Sequence, residues 1–338
     1  MINKLHIIIY IFICLLYINI SEQQIITAFS YDQNENTMIK IDLNQQTIQN
    51  YTTKVASEII IYNVIETTSS PDQINLFVLN TTSTYYSTAS YFYSNLSLSP
   101  NHPFDQENLD FFAWNVPYSL YDPLSNKITI SGISPNITFV IYDLINNQVE
   151  DLVTSFVPAD GGLPVSAIGP QENQVTSFFY DSNEKNAPTI TITDLDTNET
   201  QNYIIEGFKL NPMYALTNIP LYIKGNLYIV LIEEDTRSVS LNLVVFNSDS
   251  TSNNEDSIGS NKVQLKLLHS APKTFIGGMP CVVTQDQQSV ILIGANDLNY
   301  ESLQFTIYDL ETNTFEKVEI DNSKVNMNLQ NYIAYLAE

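Results

Sequence analysis

The side chains of this sequence that are able to do chemistry are mostly carboxylates. The 338 residues include 37 Asp and Glu against 13 Lys and Arg, with 3 His and 2 Cys. Several carboxylates fall in polar stretches between apolar runs, and if these stretches meet at one end of the fold, their charges would attract cations or a basic partner. The alternative is that a chain this acidic places Asp and Glu in most of its loops. The candidates for an acidic binding face are Asp181, Glu184, Glu234, Asp235, Asp297 and Glu301.

One acidic stretch has the alternating oxygen donors of a calcium loop, namely Asp32, Asn34 and Asn36. It lacks the downstream Gly and Glu that complete an EF-hand loop. Asp and Asn at a chain reversal also bond their own backbone two residues on, without any metal. Calcium at these three residues is therefore one hypothesis and turn formation is the other, and the sequence points to no other cofactor.

Residues for nucleophilic catalysis are sparse. Beyond the N-terminal segment the chain has only His102, His269 and Cys281, and none stands in a recognisable nucleophile motif. Cys281 lies within the apolar "MPCVV", which predicts a buried thiol. A zinc site would need more His and Cys ligands than these. A pair of carboxylates, as glycosidases use, is the route by which the protein would be an enzyme.

Two stretches are rich in aromatic residues. "TYYSTASYFY" starts at Thr84 and "DFFAWNVPYSLY" starts at Asp110. Exposed aromatic rings beside polar amides stack on the C–H groups of sugars, so these stretches are candidates for carbohydrate contact. The alternative is that the rings wedge between packed sheets.

An internal repeat organises the elements that must position these residues. "MIKIDLNQQTIQNY" from Met38, "FVIYDLINNQVEDL" from Phe139, "TITITDLDTNETQNY" from Thr189 and "FTIYDLETNTFEKV" from Phe305 share an Asp at the end of an alternating run. We take Asn95 and Asn247 as the equivalent residues of two intervening units. A period near 50 residues and about six units follow, which is the pattern of a propeller-like array.

Each unit divides into four short strands with apolar residues at alternate positions. The first strands of the third and fifth units are predicted at residues 110–119 and 211–219. "IITAFSYD" from Ile25 matches a second strand, and "NYIAYLAE" from Asn331 supplies the missing first one. The sequence therefore predicts an all-β fold: a six-bladed β-propeller of four-stranded blades, closed by pairing the C-terminal strand with the N-terminal blade.

The repeat resembles the kelch family. "IYDLETNTFEKV" is similar to the kelch pattern of Tyr-Asp-Pro followed by polar residues and an aromatic residue. "ILIGAND" and "ITISGIS" stand where kelch repeats place a glycine doublet, here single Gly294 and Gly132. A Leu replaces the Pro, and Phe315 replaces the usual Trp. The resemblance implies a β-propeller over nearly the whole chain.

The N-terminus "MINKLHIIIYIFICLLYINIS" has the pattern of a secretory signal. Its apolar run is shorter than the ~20 residues of a spanning helix, so we expect residues 1–21 to be cleaved, leaving no stable membrane span; a retained anchor is the alternative. Residues 22–338 would then form one secreted propeller domain with a disordered insertion at about 247–260. Glycosylation sequons occur at Asn50, Asn80, Asn95, Asn136 and Asn198.

A formal net charge of −24 excludes nucleic acid as a partner, because phosphates require clustered Lys and Arg. The expected function is that of a secreted or cell-surface glycoprotein which binds a protein or carbohydrate ligand through one acidic propeller face, more in keeping with binding than with catalysis. The alternatives are a carboxylate-based or calcium-dependent hydrolase at the mouth of the channel, and a structural matrix component.

Overall fold

All regular elements in the described part of the chain are β-strands. The computed structural model describes residues 25–30, 37–65, 73–83, 85–99, 102–103, 120–122, 127–133, 137–143, 145–146, 148–155, 165–168, 174–179, 188–205, 219–232, 238–246, 261–271, 281–284, 287–295, 301–323 and 332–337. These residues form strands β1 to β25 and no helix. Within them, no helix is long and apolar enough to cross a membrane. The all-β prediction is confirmed.

The strands group into antiparallel units of four that follow the predicted repeat. The first unit contains β25 (Tyr332–Ala337), β1 (Ile25–Ser30), β2 (Thr37–Asp42) and β3 (Thr47–Thr52). The second contains β4 (Ile59–Ile65), β5 (Gln73–Asn80), β6 (Tyr85–Phe92) and β7 (Ser97–Leu98), with β8 (His102–Pro103) also paired to β6. The third contains β9 (Leu120–Asp122), β10 (Lys127–Ile133), β11 (Ile137–Asp143) and β12 (Gln148–Ser155).

The remaining described strands form three more sets of four. The fourth unit contains β13 (Val165–Ile168), β14 (Gln174–Phe179), β15 (Thr189–Asp194) and β16 (Thr200–Ile205). The fifth contains β17 (Ile219–Ile223), β18 (Asn226–Ile232), β19 (Val239–Phe246) and β20 (Asn261–Ala271). The sixth contains β21 (Cys281–Val283), β22 (Ser289–Ala295), β23 (Ser302–Asp309) and β24 (Thr314–Asp321).

The predicted pairing of the C-terminal strand with the first unit is confirmed. Strand β25 runs antiparallel to β1, with Ile25 opposite Ala337 and Ser30 opposite Tyr332. The pairing covers an edge of β1 that would otherwise present unpaired backbone groups. It therefore joins the two ends of the described chain in one sheet.

In the sixth unit, burial falls from the middle strands to the outer strand. In β23 Leu303, Phe305 and Tyr308 are buried, whereas in β24 only Val318 and Ile320 are. A strand packed between two neighbouring sheets is apolar on both faces, and an outer strand alternates because one face meets water. The sixth unit therefore has the burial pattern of a sheet held between neighbours.

Three core clusters join neighbouring sheets among the described residues. One core cluster joins Ile26 and Ile41 of the first unit to the fifth and sixth units. Another joins Phe29 and Met38 to the second unit, and a third joins the fourth and fifth units. Antiparallel sheets stacked in sequence, with the first against the last, are the architecture of a β-propeller. The fold is an all-β propeller.

The fourth and fifth units share one eight-stranded sheet, which the sequence did not predict. Their outer strands β16 and β20 run parallel, with Tyr203 opposite Asn261 and Ile205 opposite Val263. The eleven-residue length of β20 lets it reach its neighbour. The seam between these two units is therefore closed at its outer side by backbone pairing.

The register corrects one residue of the predicted repeat. Phe92 lies opposite Ser97, as Asp309 lies opposite Thr314, so Phe92 and not Asn95 is equivalent to the repeat Asp. Leu96 then takes the left-handed φ of 57° that ends the turn, as Asn313 does at 55°. Asn95 resembled the Asp only because it lies in the same polar turn. Strand β19 likewise ends at Phe246, and Asn247 lies outside the described residues.

The described first strands of the third and fifth units are Leu120–Asp122 and Ile219–Ile223, which pair with β10 and β18. The predicted strand at 110–119 and all but the last residue of the one at 211–219 precede these described residues, so both strands stay predictions. The earlier stretches, the predicted signal and the insertion at 247–260 lie outside the described residues.

Candidate functional site

The repeated Asp stabilises a turn by accepting hydrogen bonds from its backbone. The Asp309 Oδ1 accepts hydrogen bonds from the backbone N–H of Glu311 at 2.9 Å and of Thr312 at 2.8 Å. Asp194 and Asp143 accept equivalent pairs of bonds at the same point of their units. This local bonding is the chemistry of Asp at a chain reversal. The turn interpretation of the repeat Asp is confirmed.

The turns keep these carboxylates ionised. The backbone N–H of Thr312 lowers the pKa of Asp309 below its ordinary value, and those of Thr197 and Asn146 do the same for Asp194 and Asp143. A hydrogen bond donated to a carboxylate favours its charged form. The rim of the propeller that carries the turns between third and fourth strands is therefore negatively charged.

The structure describes only one of the candidates for the predicted acidic face, Glu301. Glu301 is exposed beside the start of β23, and its carbonyl accepts the N–H of Asn322 at 2.8 Å. The other candidates lie outside the described residues: Asp181, Glu184, Glu234, Asp235 and Asp297. The same holds for the calcium candidates Asp32, Asn34 and Asn36. Within the described part of the chain, no three His, Cys, Asp or Glu side chains form a group suited to a metal ion.

The predicted glycosylation sites differ in exposure. Asn50, Asn95 and Asn198 are exposed, and Asn80 is half-buried. Asn95 and Asn80 use Oδ1 to accept turn hydrogen bonds, which leaves the amide nitrogen as the atom that a glycan would modify. Asn136 lies outside the described residues. Glycosylation of these residues stays a prediction.

The predicted burial of Cys281 is confirmed. Only 3% of the residue is exposed, and burial raises the pKa of its thiol far above the ordinary value. A thiolate is the reactive form of cysteine, and an apolar environment suppresses it. Cys281 is a core residue.

The aromatic stretch from Thr84 contributes a wedge between sheets. The ring of Tyr91 is fully buried and meets Phe29 of the first unit edge to face at 5.0 Å. Tyr93 meets Tyr91 at 5.8 Å in the same manner. The wedge interpretation holds for Tyr91. In the second stretch Phe111, Phe112, Trp114 and Tyr118 lie outside the described residues.

A groove of about 470 Å³ lies between the fourth and fifth units, on the rim of the repeat turns. It opens where the β15–β16 turn, the β17–β18 turn and the end of β19 come together. Its volume falls in the range of small-ligand sites. The residues that line this seam groove are Gln174, Ile192, Asp194, Glu199, Gln201, Tyr203, Tyr222, Gly225, Leu227 and Phe246.

Three aromatic rings and an apolar floor line part of the seam groove. Tyr203 and Phe246 meet edge to face, with ring centroids 5.0 Å apart at 80°. Phe246 is 42% exposed, whereas Leu227 beneath is 3% exposed. The Tyr203 hydroxyl donates to Gln201 Oε1 at 2.6 Å, which orients the ring. Several rings that meet at one concave site form a contiguous apolar surface of the kind that ligands contact.

The polar wall of the seam groove is formed by carboxylates and amides. Asp194 is held in its turn by hydrogen bonds from the backbone N–H groups of Asp196 and Thr197. Glu199 follows in the same turn, after Asn198 with its left-handed φ of 58°. Among the described residues that line the groove, none is Lys, Arg or His. The groove therefore combines ring faces, neutral amides and negative charge.

Sequence reasoning missed the seam groove. Its rings come from β16, β17 and β19, which belong to two different units, and only the packing of the units brings them together. The one sequence signal was the alternation of "TQNYIIE", which places Gln201 and Tyr203 on the same face of an outer strand.

Comparisons with known proteins give structural likenesses only. No protein-family model matches the sequence, and a search of curated proteins gives no match. A 6-phosphogluconolactonase-like protein from Bacteroides fragilis is 10% identical with a TM-score of 0.47, over 95% of this chain and 99% of that one. Hydrazine synthase from Kuenenia stuttgartiensis is 13% identical with a TM-score of 0.43, over 80% and 68%. The β-propeller domain of the Trilobed protease from Pyrococcus furiosus is 10% identical with a TM-score of 0.37, over 78% and 72%. At these scores the likenesses carry no argument about activity.

Proposed function

We propose that this protein is a secreted glycoprotein whose kelch-like, six-bladed β-propeller is an extracellular binding module. The observation that carries the proposal is the seam groove, a concave site with exposed rings and fixed polar groups on rigid strands. Sites of this composition bind small ligands or side chains of a partner. The N-terminal signal pattern and the exposed sequons support secretion and glycosylation.

The Asp194 carboxylate of the seam groove is better suited to binding than to general-acid catalysis. The Oδ1 of Asp194 accepts hydrogen bonds from the N–H groups of Asp196 and Thr197 and from the Thr197 hydroxyl. These bonds hold the carboxylate in its charged form, whereas a general acid needs a raised pKa. Asp194 is therefore suited to act as a fixed, charged hydrogen-bond acceptor in the wall of a binding site. The acidic loops of the opposite rim are proposed as a second contact surface for basic partners.

The secretion part of the proposal is tested by expressing the full chain in a eukaryotic cell. We expect the protein in the medium, with an N-terminus near Glu22 by Edman sequencing and a mobility that increases after N-glycosidase treatment. A protein retained in the membrane fraction with residues 1–21 attached would contradict secretion.

The binding part is tested with a variant that fills the seam groove. Gln201 is exposed on β16 and lines the groove, so Gln201→Trp places a large ring in it while remaining compatible with a strand. The matched control is Glu316→Trp, because Glu316 faces Ile307 in the sixth unit as Gln201 faces Ile192 in the fourth.

Ligands are screened by thermal shift against neutral oligosaccharides, basic peptides and acidic peptides. A ligand at 100 times its Kd stabilises the folded state by about 2.7 kcal/mol. We expect at least one class to raise the Tm of the wild type and of Glu316→Trp but not of Gln201→Trp. Equal shifts in all three proteins would exclude the seam groove as the site.

A further inference from the structure

The negative charge of the seam groove favours a cationic ligand. Asp194 and Glu199 belong to its lining, and none of the described lining residues is basic, although Lys224 precedes Gly225 in the neighbouring turn. Asp194 stays ionised because its turn lowers its pKa, and the whole chain carries a formal charge of −24. In this field an anionic ligand is repelled and a cationic one is attracted from a distance. The wall of the groove is thus complementary to a positive charge.

The aromatic rings of the groove favour a planar cation. A guanidinium or ammonium group over the face of a Tyr or Phe ring is attracted by the ring quadrupole. Tyr203, Tyr222 and Phe246 present rings at one site that also holds two carboxylates. A planar guanidinium can stack on a ring and bond a carboxylate at the same time, which a compact ammonium cannot. The combination favours arginine over lysine.

The floor and the size of the groove fit a side chain on an extended backbone. Ile192 and Leu227 are buried beneath the opening and offer apolar surface to the methylene stem of the ligand. A volume of about 470 Å³ holds one or two large side chains. Such a groove meets a short peptide segment and leaves the rest of the partner outside.

We infer that the seam groove binds an arginine side chain of an extended peptide segment, with Glu199 and Asp194 facing the guanidinium and an aromatic ring of the groove, from Tyr203, Tyr222 or Phe246, stacking on it. This inference rests on the proposed binding function. It names the ligand class for the same site.

The test measures the binding of two fluorescein-labelled pentapeptides to the full secreted protein by fluorescence anisotropy. One peptide is Gly-Arg-Gly-Arg-Gly, and the other replaces each Arg by citrulline, which keeps the shape and removes the charge. We expect the citrulline peptide to bind at least tenfold more weakly. Because Asn198 bears a sequon beside the groove, both peptides are also measured on Asn198→Gly, where the left-handed φ suits glycine.

Variants separate the groove from the general negative field. Glu199→Gln and Tyr203→Leu should each weaken arginine-peptide binding about five- to tenfold, in line with a cation–π or ion-pair contribution near 1 kcal/mol. Glu311→Gln removes the same charge from the equivalent turn of the sixth unit, and its Kd should stay within twofold of the wild type.

Three outcomes would overturn the inference. Equal affinity for the citrulline peptide shows that the guanidinium is not recognised. Equal weakening by Glu199→Gln and Glu311→Gln shows attraction to the whole acidic surface and not to a site. A neutral oligosaccharide that binds the wild type but not Gln201→Trp, with no arginine-peptide binding, refutes the arginine ligand and leaves the proposed binding function intact.

Discussion

Asp309 shows how one carboxylate determines a local conformation. It accepts the N–H groups of Glu311 and Thr312, and Asn313 follows in the left-handed region. We expect Asp309→Ala to lower the free energy of unfolding by about 1 kcal/mol, because two turn N–H groups lose their acceptor. Asp309→Asn retains an oxygen at Oδ1 and should lose less. Urea unfolding followed by circular dichroism measures both, and Glu311→Ala is the control, expected to change little.

The effect of Asp309 depends on pH in a defined direction. Its turn lowers its folded pKa below the ordinary value of 3.8, so its ionised form stabilises the fold above that pH and the stabilisation is lost as the pH falls through the folded pKa. The stability difference between wild type and Asp309→Asn should therefore be constant near neutrality and shrink below about pH 3.8. A difference that grows on acidification would contradict the turn role.

Residue types alone predicted part of this chemistry. The turn role of Asp42, Asp143, Asp194 and Asp309 follows from the short side chain of Asp, which reaches its own backbone. Asn95 was placed at the wrong position of the repeat because a polar turn has several residues that can accept such bonds. Only the pairing of Phe92 with Ser97 identifies the equivalent position.

At the scale of elements, the β17–β18 hairpin beside the seam groove contains a lysine in an unfavourable backbone conformation. Its two-residue loop places Lys224 at φ 46° and Gly225 at φ 80°. Loops with two positive φ values favour Asn-Gly. We expect Lys224→Asn to stabilise the protein by about 0.5 kcal/mol, because Asn tolerates the left-handed region better than Lys.

Gly225→Ala tests the second residue of the same two-residue loop. A Cβ at Gly225 would approach the Tyr222 hydroxyl at 3.9 Å, an ordinary contact, so any cost comes from the backbone. We expect a loss of about 1 kcal/mol. The midpoints of urea unfolding compare the two variants with the wild type. Stabilisation by alanine would show that the loop adopts another conformation.

The sequence was sufficient to predict where strands form, but it did not predict the contacts between units. Alternating apolar residues located strands such as β15, β22 and β23 within a residue or two. The parallel pairing of β16 with β20 has no signature in the residue pattern. An outer strand alternates polar and apolar residues whether or not another strand pairs with its edge. The seam groove depends on this pairing, and for that reason its residues escaped sequence analysis.

At the scale of the whole molecule, the closure by β25 predicts a circular permutant. Ala337 lies opposite Ile25, so a two-residue Asn-Gly turn can join them as a hairpin. A chain that starts at Tyr332, passes through this turn to Ile25 and ends near residue 331 should fold with a stability within about 1 kcal/mol of the wild type. Thermal unfolding by circular dichroism gives the comparison.

Deletion of residues 332–338 is the contrasting variant. It removes the partner of all six paired residues of β1 and exposes that edge. We expect a loss of about 3 kcal/mol or more, since several backbone hydrogen bonds disappear together. A deletion that leaves the free energy of unfolding unchanged would show that the closure does not stabilise the propeller. The same conclusion follows if the permutant fails to fold while the deletion variant folds.

The same closure imposes an order on biosynthesis. Ile25–Ser30 is the first described strand to leave the ribosome and Tyr332–Ala337 is the last. Throughout translation, β1 can pair with β2 on one side, but its other edge has no strand to meet. Until its final strand is made, the nascent chain therefore carries an open β1 edge, which is a site for non-native strand pairing.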